Sequence, residues 1–415
     1  MQKSRIRLIV CFFLLCLLLA GCNGGKETDE IAWVISIGVD KAGDELEITY
    51  RIAIPRALAG EMAGGGDKKP TTLITVRAAS LAEGRNLLNT ALARSVSLNQ
   101  VRLLVVSEDL ARSGIDDLIG PLIRFREFRG SIFIMVARGN VRETFEKNAP
   151  SLETLSSRWI ENYVQSSNEV SYYPKASLHE FYLRLKNATG SPYALYVGLN
   201  PLTGHGQPSG SKAEGEATEP YLPGDTPRIG GDPVEVLGTA VFKGAKMVGA
   251  LDTEGTRAFG TLQNQLYRSF FVIDDPLAPK HKINIAVRNG SKPKIKIDNL
   301  GERPTINIDV FLEGEITAIP SGIMYEETEY RSLLEQQVSN VMKNELQNML
   351  AQTQEWGADI ADFGYYSRGN FSTLQELQEY KWNSHYPQAE FIINVRTELR
   401  RSGLMQQTEP IRRDD

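Results

Sequence analysis

Thr305-Ile306-Asn307-Ile308-Asp309-Val310-Phe311-Leu312 places Ile306, Ile308, Val310 and Leu312 at every second position, with Asn307 and Asp309 between them. Successive side chains of a strand point to opposite faces, so this spacing makes one face apolar and leaves the other to water. Two earlier runs do the same: Ile283, Ile285 and Val287, then Ile295 and Ile297. Three such runs in succession predict half-buried antiparallel strands that need cover on their apolar side. The cover follows at once. Between Tyr325 and Gly357, apolar Tyr330, Leu333, Leu334, Val338, Val341, Met342, Leu346, Met349 and Leu350 recur at three- and four-residue spacing, the period of a helix. Glu329, Glu335, Gln336, Asn340, Lys343 and Gln347 fall on the opposite face and read as solvated surface. The apolar stripe is read as packing on the sheet rather than as a coiled-coil seam. A last run alternates Phe391, Ile393, Val395 and Leu399 with Asn394, Arg396, Glu398 and Arg400, and can join the same sheet.

Upstream the pattern is different. Ile31–Val39 and Glu45–Pro55 flank Lys41-Ala42-Gly43-Asp44, a hairpin composition. Residues Ala59–Pro70, with four glycines and a Lys-Lys pair, read as a loop, and Thr71–Ala78 as a third strand. Ser80 with Glu83 forms a candidate capping box for a helix through Arg94. Strand-like Val101–Ser107, Ser131–Ala137 and Tyr193–Leu199 then alternate with helical stretches near Asp116–Phe125, from Val141, near Leu152–Tyr163 and near Leu178–Leu185. Alternation of this kind predicts a mixed α/β domain over 31–200. Residues 201–233 hold seven glycines and six prolines with almost no aliphatic side chains, which predicts an interdomain linker. A hairpin over Val234–Leu251 and a short strand at Phe270–Ile273 suggest a small β-rich middle domain over 234–275. The sheet-and-helix unit occupies 276–405, and 406–415 is a polar tail. The expected class is thus mixed, α+β with α/β character, and multi-domain.

The N-terminus indicates where the chain is sent. Lys3, Arg5 and Arg7 precede an uncharged, mostly apolar run from Leu8 to Ala20. That run is shorter than the roughly 20 residues needed to span a bilayer, and the order of charge then apolar run is that of an export signal. Leu19-Ala20-Gly21-Cys22 resembles the lipobox of bacterial lipoproteins. The resemblance implies cleavage after residue 21 and an S-diacylglyceryl group on Cys22, with or without a further acyl group on its amine. Residues 22–30 would be a flexible leash. All three cysteines, Cys11, Cys16 and Cys22, lie at or before the cleavage point, so the mature body has no disulfide and no cysteine nucleophile or zinc ligand.

Composition and motifs exclude more than they suggest. The 415 residues are 41% hydrophobic and carry a net charge of −5, which excludes a multi-span membrane chain and gives no general attraction to nucleic acid. No phosphate-binding loop, dinucleotide fingerprint, His-Glu-x-x-His or Gly-x-Ser-x-Gly is present. His179, His205, His281 and His385 are scattered singly, whereas a zinc site needs several ligands at helix or hairpin spacing. Asp252 and Glu254, the one close carboxylate pair weighed for glycosidase chemistry, read as surface residues. No catalytic, metal or cofactor-binding residue is assigned, and no enzyme is expected.

Several pieces together are familiar. Glu355-Trp356-Gly357-Ala358-Asp359-Ile360, then Phe363-Gly364, Trp382, Tyr386-Pro387, and Asn394-Val395-Arg396 through Arg400-Arg401-Ser402-Gly403-Leu404 resemble the Ger(x)C, or GerAC-type, spore germination lipoproteins. Ile37-Gly38-Val39-Asp40, Gly238-Thr239-Ala240-Val241-Phe242-Lys243-Gly244 and Val248-Gly249-Ala250-Leu251 fit the same family in the same order. The resemblance implies the C subunit of a nutrient germinant receptor, held on the outer face of the spore inner membrane. It would work there with integral membrane A-type and B-type subunits, and Cys22 is the only functional position carried over. The alternative reading is an extracytoplasmic solute-binding lipoprotein of a transport system, which would need a ligand cleft between two α/β lobes.

Overall fold

The computed structural model describes residue 5 and residues 30–54, 70–150, 156–201 and 220–401. The expectations about the export segment beyond Arg5, Cys22, the leash before residue 30, the loop at 59–69 and the polar tail 406–415 lie outside these residues.

Two sheets organise the chain. β1 (Ile31–Ala42) and β2 (Glu45–Ala53) form the expected hairpin, with Gly43 in the left-handed region at φ +68°. β3 (Thr71–Ala78) extends it antiparallel. β5 (Leu103–Ser107), β6 (Phe133–Ala137) and β7 (Tyr193–Leu199) continue from the other side of β1 in parallel, and short β4 (Ser95–Ser97) pairs with the start of β1. Antiparallel β8 (Val234–Lys243) and β9 (Lys246–Leu251) finish the order β3-β2-β1-β5-β6-β7-β8-β9. All five residues of β5 are buried, as expected for a parallel strand covered on both faces.

Helices supply the parallel crossovers. α1 (Leu81–Thr90) leads from β3 to β4, while α2 (Glu108–Ser113) and α3 (Asp116–Arg124) lead from β5 to β6. α4 (Val141–Lys147), α5 (Ser156–Val170) and α6 (Leu178–Lys186) lead from β6 to β7. Ser80 caps α1 through the Glu83 amide at 3.2 Å, and the Glu83 carboxylate returns to the amide of Ala79. The capping pair is therefore one residue offset from the reciprocal form. The helix ends at Thr90 rather than Arg94 because β4 begins at Ser95.

The second sheet contains β10 (Ser269–Asp274), β11 (Lys282–Asn289), β12 (Lys294–Asn299), β13 (Thr305–Ala318) and β14 (Glu390–Arg401). β13 is its axis. β12 pairs with its first half and β11 with its second, both antiparallel along the same edge, while β14 runs parallel along the other. A parallel partner requires a crossover, and the connection contains α8 (Thr328–Trp356). Leu334, Val338, Met342, Leu346 and Met349 have no exposed surface. Leu333, expected on that face, is 40% exposed, because the buried stripe passes through its neighbour Leu334. Glu335, expected in solvent, instead accepts the amide of Leu399 in β14 at 2.8 Å.

The sheet order bears on two of the boundaries read from composition. The stretch 234–275 is divided: β8 and β9 extend the first sheet, α7 (Thr253–Leu262) packs on α8, and β10 enters the second sheet. Strand runs alone carry no record of which sheet they join. The Gly/Pro-rich connection joins β7 and β8, adjacent strands of one sheet. Its described part, 220–233, is organised by a buried carboxylate. Glu235 accepts from Asn200 Nδ2, the Gly224 amide and Arg228 Nε at 2.7 Å each, and from the Thr226 hydroxyl. Counting aliphatic residues missed it, since a satisfied polar network can order a loop that has no core of its own.

Candidate functional site at the junction of the two sheets

Trp356, Gly357, Asp359, Trp382 and Gly249, which carry part of the family resemblance, gather where the two sheets meet. α8 ends at Trp356, and Gly357 turns the chain with φ +61°. The Trp356 indole packs on Gly249 of β9, where an added Cβ would lie 2.4 Å from the ring. No other residue type leaves room for the indole there.

Asp359 is the centre of the turn that follows. Its side chain has no exposed surface. It accepts from the amides of Phe363 and Gly364 at 3.0 Å each and from Trp382 Nε1 at 2.8 Å. Burial, reinforced by the nearby Asp362 charge, pushes its pKa up to about 6 against these three donors. The Asp359 carbonyl in turn accepts the Ser191 amide at 2.7 Å, just before β7. Arg184 of α6 donates to the Ile360 carbonyl at 2.9 Å, and the Thr189 hydroxyl donates to Asp362 at 3.1 Å. Behind the turn, Thr353 and Tyr386 share a hydroxyl hydrogen bond of 2.8 Å. The segment thus ties the end of α8, the helical stretch carrying Trp382 and the lead-in to β7 into one knot.

A second tie lies deeper. Arg257 of α7 forms a two-point ion pair with Glu345 of α8, the Nε···Oε2 distance being 3.0 Å, and both side chains are 5% exposed. The guanidinium also lies over the Phe271 ring of β10, 4.4 Å from its centroid. Burial opposes the charge on Arg257, but attraction and hydrogen bonding from Glu345 outweigh it and raise the arginine pKa.

The N-terminal family segment is equally architectural. An added Cβ on Gly38 would lie 2.5 Å from Val141 Cγ1, so helix α4 can approach β1 only at a glycine. Asp40 accepts the Val141 amide at 2.9 Å and holds the start of that helix. Asp252, weighed as half of a catalytic pair, caps α7 by accepting the Gly255 amide at 2.8 Å.

The histidines stay apart. His179 packs against Gly130, and His385 stacks on Tyr380 with ring centroids 4.2 Å apart. His205 lies outside the described residues. Among the described residues no group of metal-ligating side chains converges, and no helix is long and apolar enough to cross a membrane. Arg257, Glu345, Glu235 and the role of Asp359 were not singled out by the sequence reading. Glu345 carried a usable signal: it sits between Met342 and Met349, inside the buried stripe of α8.

Aromatic and carboxylate contacts thus tie the two sheets of this α+β fold together among the described residues. A profile described as "Spore germination protein N-terminal domain" matches residues 24–199, and one described as "Spore germination B3/ GerAC like, C-terminal" matches residues 237–403. The chain belongs to the GerAC-type spore germination protein family, which is not an enzyme family.

Among curated relatives from Bacillus subtilis (strain 168), the chain is 23% identical to the "Putative spore germination protein YfkR" over 98% of this chain and 99% of that protein. It is 22% identical to "Spore germination protein KC" over 96% of each. A solved structure, "Crystal Structure of the GerBC protein", shares the fold with a TM-score of 0.52 at 16% identity, covering 88% of this chain and 96% of that one.

Proposed function

We propose that this chain is the lipid-anchored subunit of a spore nutrient germinant receptor. Acylated Cys22 holds it on the outer face of the spore inner membrane, where it assembles with integral membrane A-type and B-type subunits. The observation that carries the reading is end-to-end correspondence: both halves match germination-protein profiles, and relatives named as spore germination proteins align over nearly the whole chain. The export pattern ending at Cys22 supports the anchor. The subunit's part is structural and signalling, and the lipid raises its effective concentration beside its partners. The ties at Trp356, Asp359 and Arg257 favour this over a solute-binding protein, whose lobes must open around a ligand.

The test is dipicolinic acid release from spores of the source organism lacking the gene, across a panel of amino acids and sugars. The expected result is loss of response to some nutrients with normal release under a non-nutrient trigger. Normal release to every nutrient, in a strain also cleared of paralogues, would refute the proposal.

A further inference from the structure

The body is acidic overall, yet one region concentrates unpaired positive charge beside the point where the leash enters the fold. Ile31, the first residue of β1, pairs with Ser95 of β4, and Arg94 immediately precedes that residue. Trp33 pairs with Ser97, and the next amide, of Leu98, donates to Glu127 at 2.9 Å. Glu127 therefore fixes the segment 124–130 beside the chain entry. Its own charge is met by Arg85 at 2.7 Å.

The arginines around Glu127 are not met. Arg124, Arg126 and Arg129 are exposed, as is Arg94, and none of the four has a carboxylate partner among the described residues. The same segment borders an open groove between α3 and α6, lined by Pro121, Ile123, Phe125, Tyr182 and Leu185, with Arg124 and Lys186 among its lining residues. Asp116 is the one carboxylate that lines it. Leu183, on the same helix as Tyr182, is 51% exposed.

Cations around an apolar, aromatic-bearing surface match a bilayer interface, where the charges meet anionic headgroups and the apolar groups enter the acyl boundary. Position selects the bilayer over another anionic partner. Residues 23–30 can reach at most roughly 30 Å from an anchored Cys22, so the end of the fold that carries these arginines is the end the anchor holds at the membrane. We infer that the Arg94/Arg124/Arg126/Arg129 region with the α3–α6 groove is the face on which the body docks to an anionic lipid surface. This rests on the membrane-anchored reading, and it fixes which way the body stands: the leash end lies against the headgroups.

The test uses the mature chain bearing Cys22→Ser, so that binding owes nothing to acylation. Flotation with phosphatidylcholine vesicles containing 30% phosphatidylglycerol is compared with pure phosphatidylcholine vesicles. The expected result is binding to the anionic vesicles only, lost at 0.5 M salt. The triple variant Arg124→Gln/Arg126→Gln/Arg129→Gln should weaken it by roughly tenfold or more, while the charge-matched Lys280→Gln/Lys292→Gln/Lys294→Gln leaves it unchanged. All six side chains are polar, so circular dichroism and urea midpoints should match among the three proteins. Equal binding to both vesicles, no binding, or equal effects of the two triples would overturn the inference. Anchoring is read separately, from the mass of the wild-type protein extracted from membranes. Unlipidated wild type with charge-dependent flotation would refute the anchor and leave the docking face standing.

Discussion

Trp356 of α8 and Gly249 of β9 share a space that holds either the indole or a Cβ, and not both. Gly249→Ala places a carbon 2.4 Å from the ring, so either the tryptophan or the strand must move. Overpacking of this kind costs about 1–3 kcal/mol. Urea denaturation should show a lower midpoint for Gly249→Ala with an unchanged slope, and Trp356→Leu in the same chain should recover part of the loss. Unchanged stability would mean that the junction is soft.

Asp359 should make the junction sensitive to pH. Its folded pKa of about 6 lies above the ordinary aspartate value of 3.8, so the folded chain holds this proton more tightly than the unfolded chain. Its contribution is therefore most favourable below about pH 4, declines as pH rises to about 6, and is flat above. The decline amounts to about 3 kcal/mol. Denaturation from pH 4 to 7 should show that slope in the difference between wild type and Asp359→Asn, which cannot titrate. A difference that is constant with pH would show that the carboxyl is already ionised at pH 4.

For the buried pair, removing one partner should be worse than removing both. Arg257→Met strands the Glu345 carboxylate in the interior and should cost about 3–5 kcal/mol. Arg257→Met/Glu345→Leu removes both charges and should recover most of that loss. Additive effects in the double-mutant cycle would show that the two side chains do not act as a pair.

Cys22→Ala should leave the body folded and release it from the membrane fraction. Cell fractionation with immunoblotting reads the location, and protease resistance of the released protein reads the fold. Retention in the membrane fraction would remove the lipid anchor from the proposal.

What was legible in the sequence followed from periodicity. Ile306, Ile308, Val310 and Leu312 gave β13 its buried face, and the α8 stripe was read correctly except at Leu333. Connectivity was less visible. Nothing in Val234–Leu251 says that it completes a sheet begun at Ile31, because pairing depends on backbone groups that every residue carries. Polar interiors were hidden for a related reason. Glu235, Asp359 and Glu345 are satisfied by partners 4 to 88 residues away in sequence, and a carboxylate looks the same in a sequence whether it faces water or an arginine. The family motifs were legible as a set, yet only geometry shows that Gly249, Trp356, Asp359 and Trp382 meet at one place.

The pairing of β13 with β14 also bears on how the molecule is made. β14 begins at Glu390 and pairs with Thr305–Glu315 of the axial strand, so that edge stays open until the segment from residue 390 onward has been made. Its contacts span the full length of α8 and are slow to form on loop-closure grounds. A chain still being synthesised is therefore an unfinished sheet with an adhesive margin. A stop codon or frameshift before Glu390, though it spares more than nine-tenths of the sequence, should yield an aggregation-prone product with a null phenotype rather than a slightly shortened working protein.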